Sequence, residues 1–130
     1  SWIDVDLGEQ YVRYFDASGN VLWESACVSG AYGVHDTPLG VYSIYNKALD
    51  QTLLGNIVPE TGKREYETPV SYWIPFNDGV GLHDANWQPD FGGSMYMSGY
   101  GSHGCINLPP SAAAELYSLC SIGDVVVVHY

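Results

Sequence analysis

The sequence of 130 residues has few basic side chains and no long hydrophobic run. Four Lys and Arg residues stand against fifteen Asp and Glu residues, which gives a formal charge of −11 at pH 7. Such a charge repels nucleic acids and anionic lipid surfaces, so we expect neither as a partner. The absence of about eighteen consecutive apolar residues argues against a membrane-spanning helix within this sequence. The carboxylates either form a solvated surface or help to attract an amine-bearing substrate.

Cysteine is also scarce, with Cys27, Cys105 and Cys120 the three present. Small secreted folds that depend on disulfides have many cysteines, in an even number, and three cysteines do not fit this pattern. Cys27 lies in a predicted strand and Cys120 at the end of a predicted helix, so buried free thiols are expected at both positions. A disulfide between them is the alternative, because spacing alone does not establish a pairing.

Turn residues divide the chain into short β-type segments, which predicts one domain, residues 1–130, with a mainly β fold of sandwich or barrel-like form. Residues 16–20 are a strong hairpin signal, so the first three strands are expected to form a meander. The four valines at 125–128 are apolar enough to lie inside a sheet. A long loop or short irregular insert is predicted between Lys47 and Glu67. The predicted strands are residues 3–7, 11–15, 21–28, 40–46, 70–75, 80–83 and 125–130.

A helix is predicted at residues 110–119. Proline is tolerated in the first helical turn, and the alanine-rich segment that follows favours a helix. Gly123 provides a stop after it. Because this helix follows Cys105 closely in sequence, it is expected to support that cysteine on a rigid frame.

The segment Ser-His-Gly-Cys-Ile-Asn at residues 102–107 has the features of a thiol nucleophile, and it follows a further histidine, His83. A cysteine reacts as its thiolate, so it needs a neighbouring base, and His83 and His103 are both candidates. Gly104 lets the backbone turn sharply and brings its N–H close to a substrate carbonyl. We expect Cys105 to attack a carbonyl while His83 accepts the thiol proton and later protonates a leaving amine.

These residues resemble the catalytic domain of the L,D-transpeptidases (YkuD-type domain), the cysteine enzymes that cross-link bacterial peptidoglycan. That family has a histidine, a spacer, then Ser/Thr-His-Gly-Cys, a hydrophobic residue and Asn or Arg. Residues 3–10 resemble the family's opening strand, residues 37–42 its Thr-Pro-x-Gly turn, and residues 123–129 its closing strand. The resemblance therefore runs from end to end.

The resemblance implies that His83 is the general base and leaves two candidates for the group that orients its imidazole. Ser102 matches the motif serine, which has this role in some members. Asp84 stands where other members often have serine, and its carboxylate is able to raise the basicity of the imidazole instead.

The residues around Cys105 also supply candidates for an oxyanion hole and for substrate contact. Consecutive N–H groups of His103, Gly104 and Cys105 around a tight turn can converge on one oxygen. His103 is expected to shape the loop or to line the path of the acceptor. Aromatic side chains near the motif are candidates for the walls of a cleft that grips a peptide. The candidate substrate-binding residues are Trp87, Tyr96, Tyr100, Asn107 and Asp84.

The function that the resemblance implies is L,D-transpeptidation without a cofactor or metal. Cys105 would attack a tetrapeptide stem at its third residue, release the terminal D-alanine and pass the acyl group to an amine of a neighbouring stem. Carbapenem β-lactams are implied as covalent inhibitors. The implied location is the cell envelope, outside the cytoplasm, with a membrane connection only through a segment that the sequence does not contain.

Three alternatives stay open. With water in place of the amine, the same thioester chemistry gives an L,D-carboxypeptidase. A metal site formed by His83, Asp84, His103 and Cys105 has suitable residue types, although it lacks a paired Cys-x-x-Cys or His-Glu-x-x-His spacing. A non-catalytic module that binds the cell wall predicts that replacing Cys105 leaves function intact.

Overall fold

The structure is a computed structural model that describes residues 1–55, 57–64, 66–99 and 101–130. Its elements alternate between short strands and turns until the helix that follows Cys105. They are β1 (Trp2–Asp6), β2 (Tyr11–Phe15), β3 (Val21–Ala26), β4 (Gly40–Ser43), β5 (Ala48–Leu54), β6 (Ile57–Val58), β7 (Lys63–Arg64), β8 (Glu67–Asn77), β9 (Val80–Asp84), a 3-10 turn (Met95–Met97), β10 (Ile106–Leu108), α1 (Pro110–Leu119) and β11 (Val125–His129).

The first sheet has the strand order β3-β2-β1-β11-β4. β1, β2 and β3 form the predicted antiparallel meander, and β11 pairs with β1 in parallel. The turn between β2 and β3 is closed by Asp16, whose Oδ1 accepts hydrogen bonds from the main-chain N–H groups of Ser18 and Asn20 at 2.9 Å each. The valines of β11 lie inside the sheet, as their apolar sequence predicts.

The second sheet has the order β10-β9-β8-β5, and β6 and β7 form a separate two-stranded hairpin. β8 is antiparallel to both of its neighbours, whereas β10 runs parallel to β9. The two main sheets are stacked as a sandwich and are not closed into a barrel. The prediction of a mainly β sandwich-like fold is therefore confirmed.

The core lies between the two sheets because each strand presents alternate apolar side chains to the interior. α1 occupies the predicted residues and packs against β8 and β9 of the second sheet and β3 of the first. Its contribution to the core is Ala113 and Leu116. The strand side chains that fill the core include Ile3, Val5, Val12, Trp23, Ile74, Leu82, Ile106, Val126 and Val128.

Of the two alternatives predicted between residues 47 and 67, a long loop or a short irregular insert, the long loop is wrong, because the stretch contains β5 and the short hairpin of β6 and β7. β5 occupies much of this stretch and pairs with β8 along its length, with Ala48 opposite Trp73 and Leu54 opposite Glu67. β5 is the edge strand of its sheet and most of its side chains are exposed. An exposed edge strand does not need the apolar alternation that reveals a half-buried strand, so the sequence shows no clear β signal there.

The three cysteines are free, and Cys27 and Cys120 are buried as predicted. Burial raises the pKa of the Cys27 thiol well above its ordinary value, with the charge of Asp6 acting in the same direction. Burial likewise raises the pKa of Cys120, to about 11. In the part of the chain that the structure describes, no helix is long and apolar enough to cross a membrane.

Candidate active site

Residues 102–107, here called the cysteine loop, lie beside the strand that contains His83. β10 and β9 pair in parallel, with Asn107 opposite His83. The partners Asn107 and His83 face the same side of the sheet. Cys105 lies just before β10 and lines the same groove as these two residues. The intervening Ile106 points into the core. The parallel pairing thus places the candidate nucleophile and its candidate base on one surface.

A groove of about 360 Å³ opens on this surface. His83 and Cys105 both line it, together with aromatic, small and amide-bearing side chains from the second sheet, the spacer and the cysteine loop. The lining residues are Leu53, Tyr66, Thr68, His83, Trp87, Gln88, Pro89, Gly99, Gly101, Ser102, His103, Cys105 and Asn107.

His83 is buried between two tryptophans. Its ring centroid lies 6.0 Å from that of Trp73 and 5.9 Å from that of Trp87. Burial lowers the pKa of His83, although the hydrogen bond to Asp84 and the charge of that residue oppose the shift. Nδ1 lies 2.7 Å from the main-chain carbonyl oxygen of Asp84. Since a carbonyl only accepts, Nδ1 bears the hydrogen, and Nε2 is the nitrogen that can accept a proton.

Cys105 is half-buried in the groove. Its thiol donates to the carbonyl oxygen of Gly79, with a separation of 3.6 Å from Sγ. Burial raises the pKa of Cys105 to about 11, while a hydrogen bond from the main chain of Gly81 acts in the opposite direction. Burial therefore favours the protonated thiol, and a nucleophilic role for Cys105 requires a base that removes its proton.

The two candidates for orienting the imidazole bind elsewhere through their side chains. The Asp84 carboxylate is buried, and its Oδ1 accepts hydrogen bonds from the N–H groups of Ser71 at 2.9 Å and Tyr72 at 2.8 Å. The Ser102 hydroxyl donates to the carbonyl oxygen of Cys105 within the cysteine loop. The imidazole donates its hydrogen bond instead to the main-chain carbonyl oxygen of Asp84, an acceptor that any residue at this position would supply.

Residues 28–31, which follow β3 and are here called the bracing segment, hold the cysteine loop through main-chain hydrogen bonds. Val28 exchanges two main-chain hydrogen bonds with Asn107, of 3.0 and 2.8 Å. At the other end of the loop, the Ser102 N–H donates to the Ser29 carbonyl at 2.9 Å and the Ala31 N–H donates to the Ser102 carbonyl at 2.8 Å. The segment that turns around Cys105 is thus fixed at both ends.

Gly104 occupies the centre of the turn with φ +121, a backbone conformation that residues with a side chain rarely adopt. Its N–H lies 3.2 Å from the Ser102 hydroxyl oxygen and donates to it. Because the Gly104 N–H is used in this bond, the N–H groups of His103 and Cys105 are the better candidates for the predicted oxyanion hole.

The YkuD family model, described as the L,D-transpeptidase catalytic domain, matches residues 1–128. The chain belongs to this family. The expected family membership is therefore confirmed over nearly the whole sequence. A comparison with curated protein sequences gave no match.

Solved L,D-transpeptidase structures show the same fold. A cysteine-to-serine mutant of the Enterococcus faecium L,D-transpeptidase is 42% identical, with a TM-score of 0.88, over 99% of this chain and 49% of that one. The catalytic domain of the Enterococcus faecium enzyme acylated by ertapenem is also 42% identical, with a TM-score of 0.82, over 98% and 95% of the two chains. A Mycobacterium smegmatis L,D-transpeptidase at 24% identity has a TM-score of 0.82, over 99% and 58%, and shows the shared fold alone. The chain thus spans about half the length of the first of these proteins.

Within this L,D-transpeptidase fold, His103 lies exposed on the rim of the groove. Its ring stacks on Tyr66, with centroids 4.7 Å apart and planes at 26°. On another side it meets His35 at 4.6 Å, with planes tilted by 55°. His103 therefore helps to shape the mouth of the groove, whereas His83 is the histidine that faces its interior.

The candidate substrate-binding aromatics occupy different places. Trp87 lines the groove and is 49% exposed, so much of its ring is available to a ligand. Tyr96 is buried and packs edge-on against Tyr32 at 6.0 Å, which places it outside the lining of the groove. Asp84 also lies outside that lining, since its carboxylate is bound to the main chain of β8. Tyr100 falls outside the described residues.

Asn107 lies at the bottom of the groove and is 2% exposed. Its Nδ2 donates to Oε1 of Gln88 at 3.1 Å. Among the described residues, its buried Oδ1 has no hydrogen-bond partner. A buried acceptor of this kind is costly unless a donor meets it, so it marks a position that favours an N–H group of a bound ligand.

Sequence reasoning missed several residues that the structure brings to the site or its support. Leu53 and Thr68 reach the groove through the β5–β8 pairing, which the sequence did not predict. Thr37 was identified only as part of a turn, yet its hydroxyl donates to the carbonyl oxygen of Gly104 at 2.7 Å. No group of three His, Cys, Asp or Glu side chains within the described ranges can hold a metal ion.

Proposed function

We propose that this chain is the catalytic domain of a peptidoglycan L,D-transpeptidase that forms 3→3 cross-links through a thioester on Cys105. The observation that supports the proposal most directly is the arrangement of His83, whose Nδ1 is held by a carbonyl so that Nε2 is the basic nitrogen on the side shared with Cys105. Membership of the L,D-transpeptidase family supplies the substrate class.

In the first half-reaction, Sγ of Cys105 attacks the carbonyl carbon of the third residue of a tetrapeptide stem. The thiol proton passes to Nε2 of His83 during the attack, because burial keeps the thiol protonated at rest. The bond to the terminal D-alanine then breaks, and His83 returns the proton to the departing amine. The products of this step are free D-alanine and a thioester.

In the second half-reaction, an amine from a neighbouring stem attacks the thioester carbon. His83 accepts a proton from that amine, the carbon–sulfur bond breaks, and the thiol of Cys105 regains its proton. Water in place of the amine would give tripeptide, the product of an L,D-carboxypeptidase. Since the stem peptides belong to the cell wall, the proposed function places the domain in the cell envelope.

Substrate contact is proposed for two residues of the groove besides the reacting pair. The exposed face of Trp87 offers an apolar wall for the stem. The unpartnered Oδ1 of Asn107 offers an acceptor for a peptide N–H. Acylation of Cys105 by carbapenems is proposed as well, because the Enterococcus faecium catalytic domain has been solved acylated by ertapenem.

The deciding experiment is mass spectrometry of a disaccharide-tetrapeptide incubated with the domain, run beside C105A. We expect a dimer whose mass is that of two substrates less one D-alanine, formed by the parent protein and not by C105A. C120A is the matched control, because it removes a buried thiol outside the groove and should still form the dimer.

Other products would change the conclusion. Tripeptide and D-alanine without a dimer would show an L,D-carboxypeptidase. A dimer formed equally by C105A would contradict a thioester on this cysteine. Binding of peptidoglycan without any turnover, unchanged in C105A, would identify a non-catalytic module.

A further inference from the structure

Thr37 lies behind the cysteine loop and outside the lining of the groove. Thr37 is 3% exposed, and its hydroxyl both accepts a hydrogen bond from one main-chain group and donates one to another. Oγ1 accepts from the Gly30 N–H at 2.9 Å and donates to the Gly104 carbonyl oxygen at 2.7 Å. One buried hydroxyl therefore links the bracing segment to the residue just before the nucleophile.

The main chain around Gly30 leaves no room for a side chain at that position. A Cβ added to Gly30 would lie 1.8 Å from the carbonyl oxygen of His35 and 3.0 Å from Cα of Gly104. Gly104 has φ +121, and because glycine adopts positive and negative φ with similar ease, its own preference does not fix the direction of its carbonyl. The Thr37 hydroxyl is the side-chain group that satisfies the Gly104 carbonyl there.

The direction of that carbonyl determines the direction of the next N–H. No peptide bond among the described residues is cis, so the C=O of Gly104 and the N–H of Cys105 lie on opposite edges of one planar unit. The carbonyl points to Thr37 behind the loop. The Cys105 N–H consequently points away from Thr37. Cys105 lines the groove, whereas Thr37 does not.

We propose that Thr37 is a positioning residue, whose hydroxyl holds the Gly104–Cys105 peptide so that the Cys105 N–H serves as the oxyanion donor in acyl transfer. The inference rests on the proposed function, because an oxyanion forms only if Cys105 attacks a carbonyl. Thr37 touches neither substrate nor sulfur, and it acts through the peptide plane that it fixes.

The test compares two reactions of the same sulfur. Acylation by a carbapenem passes through an oxyanion, whereas alkylation by iodoacetamide is a displacement at carbon that requires only the thiolate. In T37V, which keeps the shape of the side chain and removes the hydroxyl, we expect acylation to slow by about ten- to a hundredfold. The rate of Cys105 alkylation and its pH profile should stay close to those of the parent.

T37S retains the hydroxyl and should restore most of the acylation rate. T52V is the matched control, since Thr52 is exposed on β5, outside the groove. If T37V does not fold, as judged by circular dichroism, T37A replaces it, because the smaller side chain leaves room for water at the two main-chain groups. T37A should show the same selective loss of acylation.

Equal loss of both reactions in the folded variant would reduce Thr37 to general structural support and overturn the inference. Unchanged acylation in T37V would overturn it as well. A parent protein that is alkylated at Cys105 but never acylated by the carbapenem would contradict the proposed function itself, and the inference would fall with it.

Discussion

His83 and Cys105 are both held in their neutral forms by burial. The pKa of the imidazole is lowered and that of the thiol is raised, each mainly because water is excluded from the group. Burial therefore opposes a resting ion pair between them, and under the proposed function the thiol proton passes to the imidazole during the attack.

The pH dependence of acylation should report this arrangement. His83 must be unprotonated to act as a base, so the rate constant for acylation by a carbapenem should rise with pH through the pKa of His83. Because that pKa is lowered, the midpoint of the acid limb should lie below the ordinary histidine value of about 6.5. Stopped-flow acylation rates measured across a pH series would give this midpoint.

H129Q provides the control for this measurement. His129 pairs with Asp4 on the first sheet, outside the groove, and its pKa is raised, first by the hydrogen bond that its ring donates to that carboxylate. Its replacement should leave the acid limb unchanged. A midpoint at or above the ordinary histidine value, or one that moves in H129Q, would show that another group controls the reaction.

At the scale of elements, the segment that follows β3 connects the first turn of the chain to the cysteine loop. Gln10, in the turn between β1 and β2, is fully buried and has the left-handed φ of 53. Its Nε2 donates to the Leu7 carbonyl and to the Ser29 hydroxyl at 2.8 Å each, and its Oε1 accepts from the Ser29 N–H at 2.9 Å. Ser29 in turn accepts from the cysteine loop, so Gln10 connects the first turn of the chain to the site.

Removal of this buried amide should destabilise the fold. In Q10A the buried Ser29 N–H loses its acceptor, which costs about 1–3 kcal/mol of unfolding free energy. Urea denaturation followed by circular dichroism would measure the loss. Q51A removes an exposed glutamine from β5 and should change the unfolding free energy by no more than about 0.5 kcal/mol. Equal effects of the two substitutions would contradict the proposed connection.

At the scale of the whole molecule, α1 joins the two layers of the sandwich. It contacts β8 and β9 in one sheet and β3 in the other, and it follows the cysteine loop after a short strand. The helix therefore stabilises the core directly beneath the site.

Leu116 and Leu119 of α1 offer a matched pair for testing this role. Leu116 is fully buried, so L116A should lower the unfolding free energy by about 2–5 kcal/mol through lost burial and a cavity. Leu119 is 43% exposed, so L119A should cost clearly less. Thermal and urea denaturation of both variants would compare them, and a larger loss in L119A would contradict this packing of the helix.

The sequence by itself predicted the candidate nucleophile and base and the turn at Gly104, and it determined the helix and most strands of the first sheet. These features depend on local chemistry and periodicity. A thiol beside Gly and His, or a run of valines, can therefore be interpreted without knowing its distant contacts. Only the tertiary structure decided that the Asp84 carbonyl orients the imidazole and that Thr37 and Gln10 support the cysteine loop. Main-chain groups are common to all residues, and distant contacts leave no periodic pattern, so the sequence alone does not reveal them.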